Sequence, residues 1–477
     1  MKLLILTVTF LIAASLFPVL GQTINSPEER ARDLVRIINL GERAAFADYV
    51  KSSFDGDFRD LPMEQHLGFY SSVYDSTRGF EVVRVLAQEG DRITLLVKSN
   101  LTGEPTSLLV RILPDAPYKI VGLGTAPAPA DPDAPKLLEA EIAANLGAFL
   151  KKLADADVFS GTVILAKDGR PVYKGAFGIA NKDFDAPNRI DTKFNLGSMN
   201  KMFTGISIAK LVQDGKVSLD DPLSKFLPDF PDAESAKKIK VKHLLTHTAG
   251  LGGYFSQRWA EKARGSTRTV DDMIALAKPD ESLRFEPGTD WRYSNTGMLV
   301  LGKIVEVASG KSYFDFVREN VLTPAGMENT GCFELDKVNK NLAVGYQKEY
   351  SDDGVAFRNN IFTHVMRGGP QGGCYSTAED LLKFSVALQA GKIVSKELAE
   401  EFTTAKPDLS SPSYGFGFQA DPAGNRFGHG GGFMGISANM DVFPKSGWTA
   451  IVLSNYGGGA NPALNKMRSI IAAQNVD

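Results

Sequence analysis

Phe194-Asn195-Leu196-Gly197-Ser198-Met199-Asn200-Lys201-Met202-Phe203-Thr204 sets a hydroxyl and an amine three residues apart at the head of an apolar run. On a helix, residues three apart share a face, so the Ser198 hydroxyl and the Lys201 amine can reach one another. The amine can take the serine's proton only while it is neutral, and burial favours that form. The run from Met202 through Ile206 to Val212 is apolar enough to bury it. The same Ser-x-x-Lys spacing recurs at Ser207 to Lys210, deeper in the same helical stretch, and at Ser235 to Lys238, in a charged run with no apolar helix behind it. Only Ser198 follows a glycine at a helix start, where a ligand can approach the backbone and the helix dipole favours negative charge. Taken alone, these residues also fit a helix-capping serine beside a solvated lysine.

Two distant segments add chemistry. Asp290-Trp-Arg-Tyr293-Ser-Asn295-Thr-Gly lies between Pro287-Gly288 and an apolar helix, Met298 to Ala308, and holds the only Tyr-x-Asn of the chain. A phenol beside an ammonium loses its proton more easily, so Tyr293 near Lys201 could serve as a base or proton shuttle, with Asn295 orienting a substrate amide. On its own, Tyr293 fits equally a helix-capping aromatic. Phe427-Gly428-His429-Gly430-Gly431-Gly432-Phe433-Met434-Gly435 precedes the last β hairpin. Consecutive glycines on a strand edge bare the backbone, as is useful where substrate pairs with it or where N–H groups must face an oxyanion. A flexible loop with an incidental histidine is the competing reading.

Ser198-x-x-Lys201, Tyr293-x-Asn295 and His429-Gly430-Gly431, in this order and at these wide spacings, resemble the serine β-lactamase and penicillin-recognising superfamily, in particular class C β-lactamases, related DD-peptidases and family VIII-type carboxylesterases. The resemblance covers about Asp155 to Ala472 and includes the phrases Leu244-Leu-Thr-His247-Thr-Ala-Gly250-Leu and Gly372-Gly373-Cys374-Tyr-Ser376-Thr377-Ala-Glu-Asp380-Leu. It implies Ser198 as the acylated nucleophile, Lys201 as its proton partner and Tyr293 as the base that activates serine and later water. It further implies Asn295 on the substrate's acyl amide, His429, Gly430 and Gly431 as substrate contacts, and an oxyanion held between the backbone N–H groups of Ser198 and Gly432. His429 stands where the family most often has lysine. An imidazole of ordinary pKa is mostly neutral at pH 7, which weakens recognition of a carboxylate by about ten- to a hundredfold. His243 and His247, four apart, have no acidic residue between them as in His-Glu-x-x-His, and the scaffold phrase around His247 favours a structural role.

The expected fold is α+β. β runs gather at both ends of the region: Gly161 to Tyr173, a hairpin through Asp168-Gly169, and Ser437 to Phe443 with Trp448 to Ser454, a hairpin through Pro444-Lys445-Ser446-Gly447. They make one antiparallel sheet, flanked by terminal helices at Lys136 to Ala154 and Asn461 to Ala473, with a mostly helical region, about Ser198 to Phe402, inserted. A cleft is expected where the two layers meet.

Ahead of this, Met1-Lys2 and the apolar run Leu3 to Leu20 read as a signal peptide over residues 1–21, with a membrane anchor as the alternative. Residues 22–124 read as a small α+β domain. Its first helix opens at Ser26-Pro27-Glu28-Glu29 and runs to Leu40; a second helical patch spans Met63 to Tyr74, and His66 is a surface or core residue. A four-stranded meander follows, Phe80 to Ala87, Asp91 to Ser99, Ser107 to Leu113 and Tyr118 to Gly122, a layout that vaguely resembles the nuclear-transport-factor-2-like cone folds. Thr125 to Pro135, with proline at nearly every second position, is a stiff linker over 125–135, and 136–477 is the hydrolase-like domain.

The chain has 477 residues with 43% hydrophobic and 23% charged, enough for two to three globular domains, and its net charge of -3 argues against nucleic-acid or anionic-membrane partners. Cys332 and Cys374 fit one disulfide or two buried thiols. The expected protein is an exported, periplasmic or extracellular serine hydrolase that forms an acyl-enzyme on small esters or amides, as an esterase or D-amino-acyl peptidase. No metal or organic cofactor and no stable membrane span are expected. A class C-like β-lactamase or DD-carboxypeptidase is the neighbouring alternative, and a catalytically silent binding protein on the same scaffold is the alternative of another class.

Overall fold

The computed structural model describes residues 24–129, 131, 134–253, 255, 259, 264–277 and 283–475, and the leader read in the sequence lies outside them. The chain divides into two compact units at Ala128–Pro129.

In the first unit, the Ser26 hydroxyl accepts from the Glu29 N–H and starts α1 (Pro27–Asn39), as its cap-and-proline pattern predicts. Helices α2 (Arg43–Ser53) and α3 (Met63–Thr77) follow. The α2 helix was not visible in the sequence: it has no side-chain cap. Strands β1 (Phe80–Glu89), β2 (Arg92–Ser99), β3 (Pro105–Ile112) and β4 (Ile120–Pro127) form an antiparallel meander in that order. Leu34, Phe46, Val50, Ile93, Leu95, Val97 and Val110 fill the space between helices and sheet. His66 is a core residue, edge-on to the rings of Phe54 and Phe58. The β4 strand runs through Pro127, so Thr125, Ala126 and Pro127, read as linker, pair with β3. Proline is tolerated there because β4 is an edge strand and Pro127 its last residue.

The second unit begins with α4 (Glu139–Asp155), β5 (Gly161–Lys167) and β6 (Arg170–Phe177). Asp168 and Gly169, both at positive φ, make the tight turn between the two strands. The inserted region carries α5 (Lys201–Gln213), α6 (Asn295–Ser309) and α7 (Ala378–Gln389), and the chain closes with β7 (Phe427–Phe433), β8 (Ile436–Phe443), β9 (Trp448–Ser454) and α8 (Ala460–Gln474). A short strand at Gln419–Ala420, then β7, β8, β9, β5 and β6, form one antiparallel sheet. Its early and late parts join in the middle, where Leu453 pairs with Thr162. The α5 helix is buried on nearly every side, each residue from Lys201 to Ala209 included. A helix apolar all round belongs in a core, and this fixes the fate of Lys201. No helix among the described residues is long and apolar enough to cross a membrane.

Candidate active site

Gly197–Asn200 forms a 3-10 turn that feeds directly into α5. Gly197 takes φ 50°, which a side chain at that position would resist. The turn points the Ser198 hydroxyl at the buried end of Lys201, with Oγ and Nζ 3.0 Å apart. Lys201 has no exposed surface, and Nζ also lies 2.7 Å from Asn295 Oδ1 and against the carbonyl oxygen of Gln371. Burial drives its pKa well below the ordinary 10.5. Asn295 Oδ1 and the Gln371 carbonyl can only accept, so each takes a hydrogen from Nζ. In the neutral form that burial favours, the nitrogen lone pair is then left for the Ser198 O–H.

The other two Ser-x-x-Lys pairs are spent on local structure. Ser207 donates to the Phe203 carbonyl within α5 and Lys210 pairs with Asp214. Ser235 bonds Asp232, and Lys238 pairs with Glu286.

Ser294 caps α6 by accepting from the Gly297 N–H, so the flanking Tyr293 and Asn295 are held at the helix mouth. The Tyr293 hydroxyl faces Ser198, and Lys201 Nζ sits 4.8 Å from its ring centroid. The ring is 36% exposed while its hydroxyl end is enclosed, and desolvation raises the phenol's pKa above its usual value. This corrects the expectation of an easily ionised tyrosine. Burial of the hydroxyl end favours the phenol form of Tyr293. His247 braces this segment from behind: its Nδ1 accepts from the Ser294 N–H, its carbonyl from the Arg292 N–H, and its ring packs 4.4 Å from that of Tyr293. His243 instead accepts from the Lys240 N–H, so the two histidines are tied to separate segments.

Strand β7 lies against the Ser198 turn because its glycines permit it. A methyl on Gly431 would stand 3.1 Å from the Ser198 nitrogen and 2.9 Å from the Leu196 carbonyl carbon, and one on Gly197 would stand 3.0 Å from the Gly432 nitrogen. Gly428 pairs with Gln419 on the outer edge of β7, and the Gly430 N–H donates to Gln419 Oε1 on that edge. Two residues further, Gly432 presents its N–H on the same edge, towards Ser198. His429 is placed otherwise than the sequence reading has it. It is 1% exposed, its Nε2 is 2.8 Å from the Tyr414 hydroxyl and its Nδ1 bonds the Gly430 carbonyl. Burial lowers its pKa to about 3, so the ring is neutral and occupied by protein partners.

Sequence reasoning missed the loop that closes the site. Gly369 and Gln371 accept through backbone carbonyls from Asn200 Nδ2 and Lys201 Nζ, and the Gly373 N–H donates to the Gly197 carbonyl. Cys374, next in the chain, is disulfide-bonded to Cys332 and fastens this loop. Carbonyl acceptors leave no residue-type signal; the Gly372-Gly373 pair was the only visible trace. The cleft beside Ser198 is lined by Asn195, Asn295, Val365, Gly372, Gly432 and Phe433, with Phe255 and Trp259 at its wall.

Comparison with known proteins bears on the family and the fold. Residues 144–474 match the Beta-lactamase family. A penicillin-binding protein of Bacillus subtilis strain 168 is 30% identical over 327 residues, covering 65% of this chain and 71% of its own. Esterase EstB of Burkholderia gladioli is 29% identical over 338 residues, covering 61% of this chain and 84% of its own. The crystal structure of a penicillin-binding protein from Bacillus halodurans superposes with a TM-score of 0.59 at 28% identity, over 71% of this chain and 99% of that one. The chain belongs to the Beta-lactamase family and is a serine hydrolase of that superfamily.

Proposed function

We propose that the protein hydrolyses small esters or amides through an acyl-enzyme on Ser198. The observation that carries this reading is the buried amine 3.0 Å from the serine hydroxyl, with Asn295 Oδ1 and the Gln371 carbonyl as its other partners. Neutral Lys201 takes the Ser198 proton as Oγ attacks the substrate carbonyl. The N–H groups of Ser198 and Gly432 hold the developing oxyanion, a role whose donors are each worth about 10²- to 10³-fold in turnover. Tyr293 relays a proton to the leaving group and, in the second half, takes one from the attacking water. Asn295 gives its Oδ1 to Lys201 and keeps its amide N–H groups for the acyl part of the substrate.

The neutral, buried His429 supports an ester or amide over a β-lactam or a peptide carboxylate, since no fixed cation stands where the family most often has one. The Burkholderia gladioli relative is an esterase, which supports this reading. Export is part of the proposal and is supported by the Cys332–Cys374 disulfide, a bond that persists in oxidising compartments.

The test is labelling with a fluorophosphonate, read by intact mass. The wild type gains one adduct and Ser198→Ala none; an unchanged adduct on the variant removes Ser198 from the role. Tyr293→Phe keeps the fold and lowers turnover of a nitrophenyl ester by about 10²- to 10⁴-fold, and a near-wild-type rate assigns the proton relay elsewhere.

A further inference from the structure

We infer that the cleft selects its substrate on the acyl side, for an uncharged ester or amide whose acyl group carries an aromatic ring; this rests on the hydrolase reading above. The two sides of Ser198 differ. On one stands Tyr293, whose hydroxyl meets Ser198, backed by His247, His429 and Tyr414. A phenol that hands a proton to the leaving group fixes that group's exit on its own side. The cleft beside Ser198 is lined by Asn295, Gly372, Gly432 and Phe433 and not by Tyr293, which separates it from the leaving-group exit. The acyl part therefore enters there.

Rings build that wall. Phe255 lies parallel to Phe433 at 5.4 Å between centroids and 9° between planes, and Trp259 stands edge-on to both, at 5.1 Å and 5.9 Å. Val365 and Ile436, both buried, add aliphatic surface, and His364, Gln371 and Asn195 supply the polar part of the lining. Phe255 is 56% exposed, and a cluster of aromatic rings favours a substrate ring by stacked or edge-on contact. A carboxylate set against the ring and aliphatic part of this wall would be stripped of water. On the leaving-group side, the Gly430 N–H is already taken by Gln419 Oε1, which closes the strand edge to an extended peptide one rung before Gly432.

The test uses three nitrophenyl esters with the same leaving group: acetate, phenylacetate and hemisuccinate. The wild type is expected to prefer phenylacetate over acetate in kcat/KM by about tenfold or more, and hemisuccinate is expected to be the poorest. Phe255→Ala, at an exposed position where folding is not at stake, lowers the phenylacetate-to-acetate ratio by about tenfold, and Phe433→Leu lowers it as well. Turnover with a ratio near one, hemisuccinate cleaved as fast as phenylacetate, or a ratio that neither variant changes overturns the acyl-side inference alone. Failure of the wild type to cleave any ester, together with an unlabelled Ser198, overturns the hydrolase reading and this inference with it.

Discussion

Gly431→Ala tests whether the approach of β7 to the Ser198 turn makes the oxyanion site. A methyl at Gly431 would meet the Leu196 carbonyl, with its carbon at 2.9 Å where ordinary contact begins near 3.4 Å, and the Ser198 nitrogen at 3.1 Å. Both neighbours are backbone, so neither can swing aside as a side chain would. Strand and turn must part by at least about 0.5 Å, the tolerance within which catalytic groups have to be held. A shift of that size takes one N–H out of reach of the oxyanion, a loss of about 10²- to 10³-fold in kcat, while overpacking costs about 1 to 3 kcal/mol of stability. Gly430→Ala is the matched control. Its methyl would meet Asn439 Oδ1 at 3.3 Å, a side-chain atom that needs to give by only a few tenths of an ångström. Nitrophenyl ester kinetics and thermal unfolding of both variants check this. A Gly431→Ala enzyme within about fivefold of wild type, or two variants that fall equally, would refute the argument.

The Cys332–Cys374 bond joins positions 42 residues apart, so its loss is expected to cost about 4 kcal/mol through the freedom returned to the unfolded chain. Because the bond fastens the loop that holds Gln371 against Lys201, Cys332→Ala should lower kcat as well as the melting temperature, and full activity in the variant would separate the loop from the site. Stability should also fall on mild acidification. Folded His429 titrates at about 3 and an unfolded histidine near 6.5, so between these values the unfolded chain binds a proton that the fold does not. This stability is fully present above pH 6.5 and shrinks as pH drops, by about 2 kcal/mol at pH 5 from this residue. Buried His247 acts in the same direction. Urea unfolding at pH 7 and pH 5 should show a smaller drop for His429→Gln than for wild type; an equal drop would contradict it.

What could be read from the sequence was local. The Ser26 cap, the Asp168-Gly169 turn and the three-residue spacing of Ser198 and Lys201 each rest on neighbours in the chain, and each takes its expected form. The order of the three motifs carried the fold, because they share one site only if the glycine strand, the α5 start and the α6 start converge. Three features escaped for physical reasons. Lys201 is held by the Gln371 carbonyl, a group every residue possesses. The pairing of His429 with Tyr414 depends on which way a strand residue faces, and the glycines around it erase the alternation that would have revealed it. The protonation of Tyr293 was misjudged because the lysine beside it was pictured as a cation, whereas complete burial favours the neutral amine.

The central claim is that Lys201 rests as a neutral amine able to receive the serine proton. Selective ¹³Cε labelling of lysine, with the Lys201 signal assigned by its loss in Lys201→Met, follows that amine directly by NMR as pH is varied. The account predicts a titration well below the ordinary lysine value, coincident with the acid limb of kcat/KM; a Lys201 signal that stays protonated until pH is near 10.5 would contradict it.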